Sequence, residues 1–257
     1  MMTDNYKHNI AKALIKFGQV LENLNSKKEI FFTRNPNAEQ LIWNNPLAFF
    51  LAVLLDQGMK AEKAWEIPYL LKQRLGHLDV FKIASISDEE IISVFMEAPK
   101  LHRFPRRMAL FVKKACQHII EKYNGKVENI WNDKPESNEL HQRFLEFQGI
   151  GQKKASMGTN MLVRDFKIEI KDKRGIDVSY DIQVRRIFLR TGLVYRDDMN
   201  LILQTARELN PEYPGILDFP CWIIGRKYCH PQNPECNKCP ISNVCLKLLD
   251  KNLPEAY

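Results

Sequence analysis

Four cysteines near the C-terminus, Cys229, Cys236, Cys239 and Cys245, follow the pattern C-x6-C-x2-C-x5-C. Thiolates are metal ligands, and four within one short loop can wrap a tetrahedral ion or one cubane iron–sulfur cluster. Structural zinc usually takes two tight pairs of cysteines. Here only Cys236 and Cys239 form such a pair, so the spacing leans towards the cluster and leaves zinc as the alternative. In a reducing compartment, crowding of this kind argues for metal ligation rather than disulfides. Pro231, Pro234 and Pro240 stiffen the loop, and Arg226, Lys227 and Lys238 make its surroundings basic. Cys116, inside a helical pattern, and Cys221, before Trp222, read as packing residues.

A second stretch, Phe147-Gln148-Gly149-Ile150-Gly151-Gln152-Lys153-Lys154-Ala155, places two glycines just before two lysines. Apolar residues on either side, Phe144 and Leu145 before and Met157, Met161 and Leu162 after, predict two short helices packed across a Gly-Ile-Gly turn. Glycine permits a left-handed backbone and close approach of another chain. A turn that opens into a helix points unsatisfied N–H groups outward, and these attract an anion such as a phosphate. An ordinary tight turn has the same look, so this stretch acquires meaning only from its company.

The remaining chain must position these two groups. Of the 257 residues 45% are hydrophobic and 27% charged, the balance of a globular protein with one or two domains. A net charge of +7 favours a polyanionic partner if it is focused on one face, and otherwise means only a solvated basic surface. The N-terminal Met1-Met2-Thr3-Asp4-Asn5 has no signal-peptide pattern and no apolar run is long enough to span a bilayer, so a cytoplasmic protein without membrane contact is expected.

Helical periodicity dominates. It predicts an N-terminal helix through Ile10, Leu14, Phe17 and Leu21, a buried helix over 47–55 opened by Asn45-Pro46, and a helix over 61–75. Further helices are predicted from the capping box at Ser87, from Pro105 to Asn124-Gly125, from Ser137, and over 184–189, 200–209 and 221–228. A short β-like patch falls at 30–33 and a loop at 34–37. Apolar and polar residues alternate in 166–170 and 176–180, separated by Lys171-Asp172-Lys173-Arg174-Gly175, which predicts an inserted β-hairpin. Its cationic tip is a solvated loop in the simpler reading and a phosphate contact in the other.

Taken together, the glycine turn, an aspartate downstream and the four-cysteine loop resemble the endonuclease III family of helix-hairpin-helix DNA glycosylases. The likeness runs from about Leu41 to Cys245. The family segment Leu-Pro-Gly-Val-Gly-Arg-Lys-Thr-Ala is similar to 147–155 and implies that Lys153 is the catalytic lysine. The segment Val-Asp-Thr-His-Val-x-Arg is similar to Tyr180-Asp181-Ile182-Gln183-Val184-Arg185-Arg186 and implies a catalytic Asp181. Gly225-Arg226 matches the pair that precedes the first cluster cysteine. Leu55-Asp56-Gln57-Gly58 is similar to the segment that fills the space left by a flipped base, which makes Gln57 its candidate, and a second wedge falls at Leu101-His102. Gly149, Ile150, Gly151, Gln152 and Lys154 are the implied DNA-backbone contacts. The sequence departs from the family at Gln148, Gln152, Lys154 and Gln183, and the interval from lysine to aspartate is longer.

This resemblance implies an all-α fold of two helical domains with a DNA-binding cleft between them. A six-helix barrel with the hairpin would occupy 42–165, a helical domain with the [4Fe-4S] loop 1–41 and 181–257, and the β-hairpin insertion 166–180. The implied activity is base-excision repair of double-stranded DNA carrying a damaged base or abasic site, by a monomer, nucleoid-associated if the source is prokaryotic. A neutral lysine amine attacks C1′ of an extruded nucleotide, displaces an oxidised pyrimidine and leaves a Schiff base that undergoes β-elimination, the AP lyase step. Lys154 and the helix N-terminus would favour the neutral amine, and Asp181 would stabilise the developing sugar charge or take a proton. The alternatives are a monofunctional uracil or mismatched-thymine glycosylase and a non-catalytic iron–sulfur DNA-binding protein.

Overall fold

Side-chain caps open α-helices at Asn35, Asn45, Asp79, Ser87, Asp181 and Asp198. In the computed structural model, which describes residues 4–26 and 32–250, the chain forms α1 (Asp4–Ser26), α2 (Pro36–Asn44), α3 (Pro46–Leu55), α4 (Ala61–Ala64), α5 (Ile67–Leu75), α6 (Val80–Ser85) and α7 (Asp88–Met96). It continues as α8 (Pro105–Tyr123), α9 (Ser137–Leu145), α10 (Gln152–Arg164), α11 (Ile182–Thr191), α12 (Met199–Leu209) and α13 (Asp218–Lys227). Short 3-10 turns lie at Val127–Ile130, Pro214–Leu217 and Cys236–Lys238. No helix among the described residues is long and apolar enough to cross a membrane.

Asn45 accepts a hydrogen bond from the Ala48 N–H with Pro46 at the first helical position, and Ser87 Oγ accepts from Glu90 N–H, as expected. Asn124 ends α8 in the left-handed region at φ 54°. Asn35 and Pro36 repeat the Asn-Pro device, so part of the stretch read as a loop opens α2. The single helix expected over 61–75 is two helices, because Pro68 in the first turn of α5 has no N–H with which to continue a ladder from α4. Asp79 caps the unforeseen α6. Of the β-like patch, Ile30 and Phe31 lie outside the described residues; Phe32 and Thr33 give their N–H groups to the Glu39 carboxylate, each at 3.0 Å.

The predicted β-hairpin is absent: no residue in 166–180 forms a strand. Its alternation is real, since Ile176 and Val178 are fully buried, but the backbone is satisfied by other partners. Gly175 N–H donates to Ser137 Oγ, Ser179 N–H to the Asp218 carboxylate, and Asn160 Nδ2 to the Asp177 carbonyl. Gly215 N–H donates to the Ile176 carbonyl, and Asp172 accepts from Ser137 Oγ at 2.6 Å. Period-two alternation reports one-sided burial, and here the covering layer is helical rather than a second strand.

The chain divides into two compact units, one of Met1–Ile30, Glu136–His141 and Thr159–Tyr257, the other of Phe31–Pro135 and Gln142–Gly158. In the second unit α3 is buried along its length, from Leu47 to Leu55. Phe50 packs on Phe147 at 4.5 Å and on Phe144 at 5.9 Å between ring centroids, which fastens the glycine turn to α3. In the first unit, Ile10 and Leu14 of α1 share a core with Val184, Ile187 and Phe188 of α11 and with Cys221 and Ile224 of α13.

Gly149 has φ +97°, and a Cβ there would stand 2.5 Å from the Phe111 ring, whereas a Cβ at Gly151 would meet nothing within 4 Å. Gly149→Ala is therefore expected to destabilise the protein by about 1–3 kcal/mol and Gly151→Ala by well under that, as read by denaturant unfolding.

Candidate active site

Helix α3 delivers its C-terminus to the glycine turn. The last carbonyls of a helix have no partner within it, and those of α3 are taken by side chains from elsewhere in the same unit. Lys154 Nζ donates to the Leu54 carbonyl, and the His102 ring lies with Nε2 3.1 Å from the Leu55 carbonyl. Lys154 Nζ also donates to Gln57 Oε1 at 2.7 Å and to the Gly149 carbonyl at 2.8 Å. The side chain is only 4% exposed, and burial, reinforced by the charge of Lys153, pushes its pKa down to about 8.

Lys153, the neighbouring residue, is more open. Its Nζ donates to Asp56 Oδ2 at 2.8 Å and to the Asp56 carbonyl at 3.3 Å, with 35% of the lysine side chain exposed against 8% of the aspartate. Two consecutive residues leaving α3, Asp56 and Gln57, thus pair with two consecutive residues entering α10, Lys153 and Lys154. The sequence reading placed Lys154 and the helix terminus beside Lys153 but missed Asp56. Its signal was a carboxylate directly before the glutamine already singled out.

Leu101 and His102, expected to form a wedge, are each 3% exposed. Leu101 belongs to the apolar interior. Phe104 N–H donates to His102 Nδ1 at 2.9 Å, so Nε2 carries the proton offered to Leu55, and burial lowers the histidine pKa in keeping with this neutral form. Phe104 is the apolar residue of that loop that reaches the surface, at 38% exposure, with the Arg103 and Arg107 guanidinium groups 5.4 and 5.0 Å from its ring centre. Gly58, at φ +66°, lies directly under that ring. Gln57, which turns its amide oxygen to Lys154, is half-buried.

Asp181 lies in the other compact unit. It is the N-cap of α11, with Oδ1 accepting the N–H groups of Gln183 and Val184, each at 2.8 Å. The buried Asp218 carboxyl is pushed up to about 6, by burial first and then by the charge of Asp181, against the pull of the Ser179 N–H. Sequence reading gave Asp218 no role; nothing in its local pattern announces that it is buried.

Cys229, Cys236, Cys239 and Cys245 line one cavity with Ile187, Ile224, Ile241 and Leu249. Arg190, 2% exposed, reaches Cys229 Sγ at 3.5 Å and donates to the His230 and Pro231 carbonyls at 2.7 and 2.8 Å. Lys247 N–H donates to Cys245 Sγ at 3.3 Å. Among the described residues, no three His, Cys, Asp or Glu side chains converge so as to hold a single metal ion. Cys116 and Cys221 are buried packing residues.

No protein-family model matches the chain. It is 26% identical over 156 residues to endonuclease III of Buchnera aphidicola subsp. Baizongia pistaciae, a match covering 58% of this chain and 62% of that one. It is 24% identical over 226 residues to endonuclease III of Rickettsia conorii, covering 84% and 92%. Among solved structures it resembles a trapped endonuclease III–DNA covalent intermediate, with TM-score 0.67 and 18% identity over 96% of this chain and 97% of that one. It also resembles a thermostable thymine-DNA glycosylase, with TM-score 0.64 and 16% identity over 96% and 98%. The all-helical architecture is that of the helix-hairpin-helix glycosylases.

Asparagine caps helices about as well as aspartate, so Asp181→Asn is expected to leave stability nearly unchanged, while Asp181→Ala costs about 1 kcal/mol. Urea unfolding of the two variants checks the assignment.

Proposed function

We propose that this chain, a member of the endonuclease III-like helix-hairpin-helix family, is a base-excision-repair DNA glycosylase with AP lyase activity. The observation that carries the reading is the Lys153 amine. It stands in the first turn of α10, directly after the glycine turn, and is partly open to solvent, whereas the Lys154 amine beside it is enclosed by three carbonyl oxygens. A nucleophile must reach its target, and of the two lysines Lys153 is the one whose side chain is partly exposed.

The reaction follows from residue chemistry. A damaged nucleotide is extruded from the duplex at a cost of a few kcal/mol, reduced where its base is poorly paired. The neutral amine forms a bond to C1′ as the bond from C1′ to the base breaks, and the base leaves with its electron pair. The sugar ring opens to the protonated Schiff base. Loss of the C2′ proton then expels the 3′ phosphate and cuts the strand. Asp181 supplies a carboxylate against the positive charge that develops on the sugar. The turn 149–151 and Gln152 take the backbone phosphates without reading sequence, with Gly151 offering the open approach that its missing Cβ provides. Oxidised pyrimidines are the proposed substrate class.

Cys229, Cys236, Cys239 and Cys245 would hold a [4Fe-4S] cluster. Four cysteines lining one cavity supply the four thiolates that such a cluster takes. When bound, the cluster cross-links the loop and takes no part in bond breaking. Arg190 then serves to place one cationic group against the thiolates.

A monofunctional glycosylase acting on mispaired thymine or uracil is the second reading, favoured by the likeness to the thymine-DNA glycosylase. Borohydride trapping decides between them. A covalent complex with duplex DNA containing an abasic site or oxidised pyrimidine is expected from the wild type and not from Lys153→Ala; base release without any trapping would establish the second reading. Purified protein is expected to contain iron and acid-labile sulfide in equal amounts, and Cys236→Ser to lose both, whereas zinc without sulfide would refute the cluster.

A further inference from the structure

We propose that Asp56 is the positioning residue of the Lys153 nucleophile: its carboxylate holds the amine at the exit of α3 as an ammonium, and the proton must leave this pair before the amine can attack. The inference rests on the reading of Lys153 as the nucleophile. Nothing in the family segment matched to 55–58 calls for a carboxylate here, so the assignment comes from the geometry of this chain.

Three observations support it. Asp56 is 6% exposed, and a buried carboxylate is costly unless a cation meets it; Lys153 Nζ does so at 2.8 Å. Lys154 cannot take that role. An ammonium has three N–H donors, and Lys154 spends all three on the Leu54 carbonyl, Gln57 Oε1 and the Gly149 carbonyl. These bonds also fix the Asp56-Gln57 segment against the start of α10, because Gln57 is one of the acceptors. Lys153 therefore faces a fixed negative group, Asp56, on one side and on the other the enclosed Lys154 amine, which gives up its proton first, with a pKa of about 8. The titratable groups around this cluster include His102, which is neutral, and Arg107, whose charge acts on both His102 and Lys154.

Of the two neighbours, Asp56 is the one that is charged while Lys153 titrates. It favours the ammonium, so removing its charge makes the neutral amine available at lower pH. Lys154, whose pKa of about 8 leaves it neutral in that range, has little charge with which to act, so its removal leaves the titration of Lys153 nearly in place. A purely structural role would disturb the Asp56 and Lys154 variants alike and would not confine the shift to Asp56.

The test is competitive labelling of the full-length protein with trace acetic anhydride over a pH series, read by mass spectrometry on the peptide containing Lys153. Asp56→Asn is expected to lower the midpoint for Lys153 by about one pH unit, roughly a tenfold gain in neutral amine at a given pH. Lys154→Met and Asp56→Glu are expected to stay close to wild type. Asp56→Ser serves as a second charge-removing variant if the amide disturbs the turn. An unchanged midpoint in the folded Asp56→Asn and Asp56→Ser variants, or an equal fall in Lys154→Met, overturns the proposal. Borohydride trapping of the same proteins separates the two readings. A midpoint shift confined to the charge-removing Asp56 variants, without trapping, upholds the Asp56 pair and sinks the lyase activity; trapping in the wild type with no midpoint shift does the reverse.

Discussion

An ammonium group enclosed by protein must give each of its hydrogens to an acceptor, and Lys154 meets that demand with oxygens from two segments far apart in sequence. The Leu54 carbonyl is surplus at the end of α3, the Gln57 amide belongs to the chain leaving that helix, and the Gly149 carbonyl belongs to the glycine turn. One side chain thereby satisfies a helix terminus and fixes the turn that precedes α10. The Phe50 ring, packed on Phe147, holds the same two segments together from the apolar side. The position of Lys153 is a consequence of both constraints. Its amine emerges next to Asp56 because the residue after it is anchored one step further along the same segment.

The same economy appears in the other unit. Stretches without regular structure have their backbone groups satisfied by single polar side chains rather than by ladders. Ser137, Asn160 and Asp218 serve the segment 166–180, and Asp181 caps α11. Arg190 does this work near the cysteines, where it occupies carbonyls of the loop and approaches Cys229 in one gesture. Such contacts are individually modest in energy, but a buried donor or acceptor left without one costs about 1–3 kcal/mol, so they determine which loop conformation survives.

The residues proposed for the chemistry are divided between the two units. Lys153 with its Asp56 partner lies in one, and Asp181 and the cysteine loop lie in the other. Within each, the proposed residue stands at a helix end: Lys153 in the first turn of α10, and Asp181 at the N-cap of α11. Helix ends are where the backbone lacks partners and where oriented dipoles meet charge.

Much of this was legible in the residues themselves. Asn-Pro, Ser-x-x-Glu and Asn-Gly signals mark helix ends because capping is local: the partners lie within four residues of one another. The cysteine spacing and the Gly-x-Gly-x-Lys-Lys run are local in the same sense. Tertiary structure alone decided what alternation in 166–180 packs against, since one-sided burial reads identically whether a strand or a helix supplies the cover. It also decided that Leu101 and His102 face inward while Phe104 faces out, and that Asp56 meets Lys153. Those outcomes depend on which distant oxygen or ring lies opposite a side chain, and no spacing along a single chain encodes that. Sequence determined the side chains available at the ends of α3 and α10; only the fold, by enclosing Lys154, determined which of two adjacent lysines stays partly exposed.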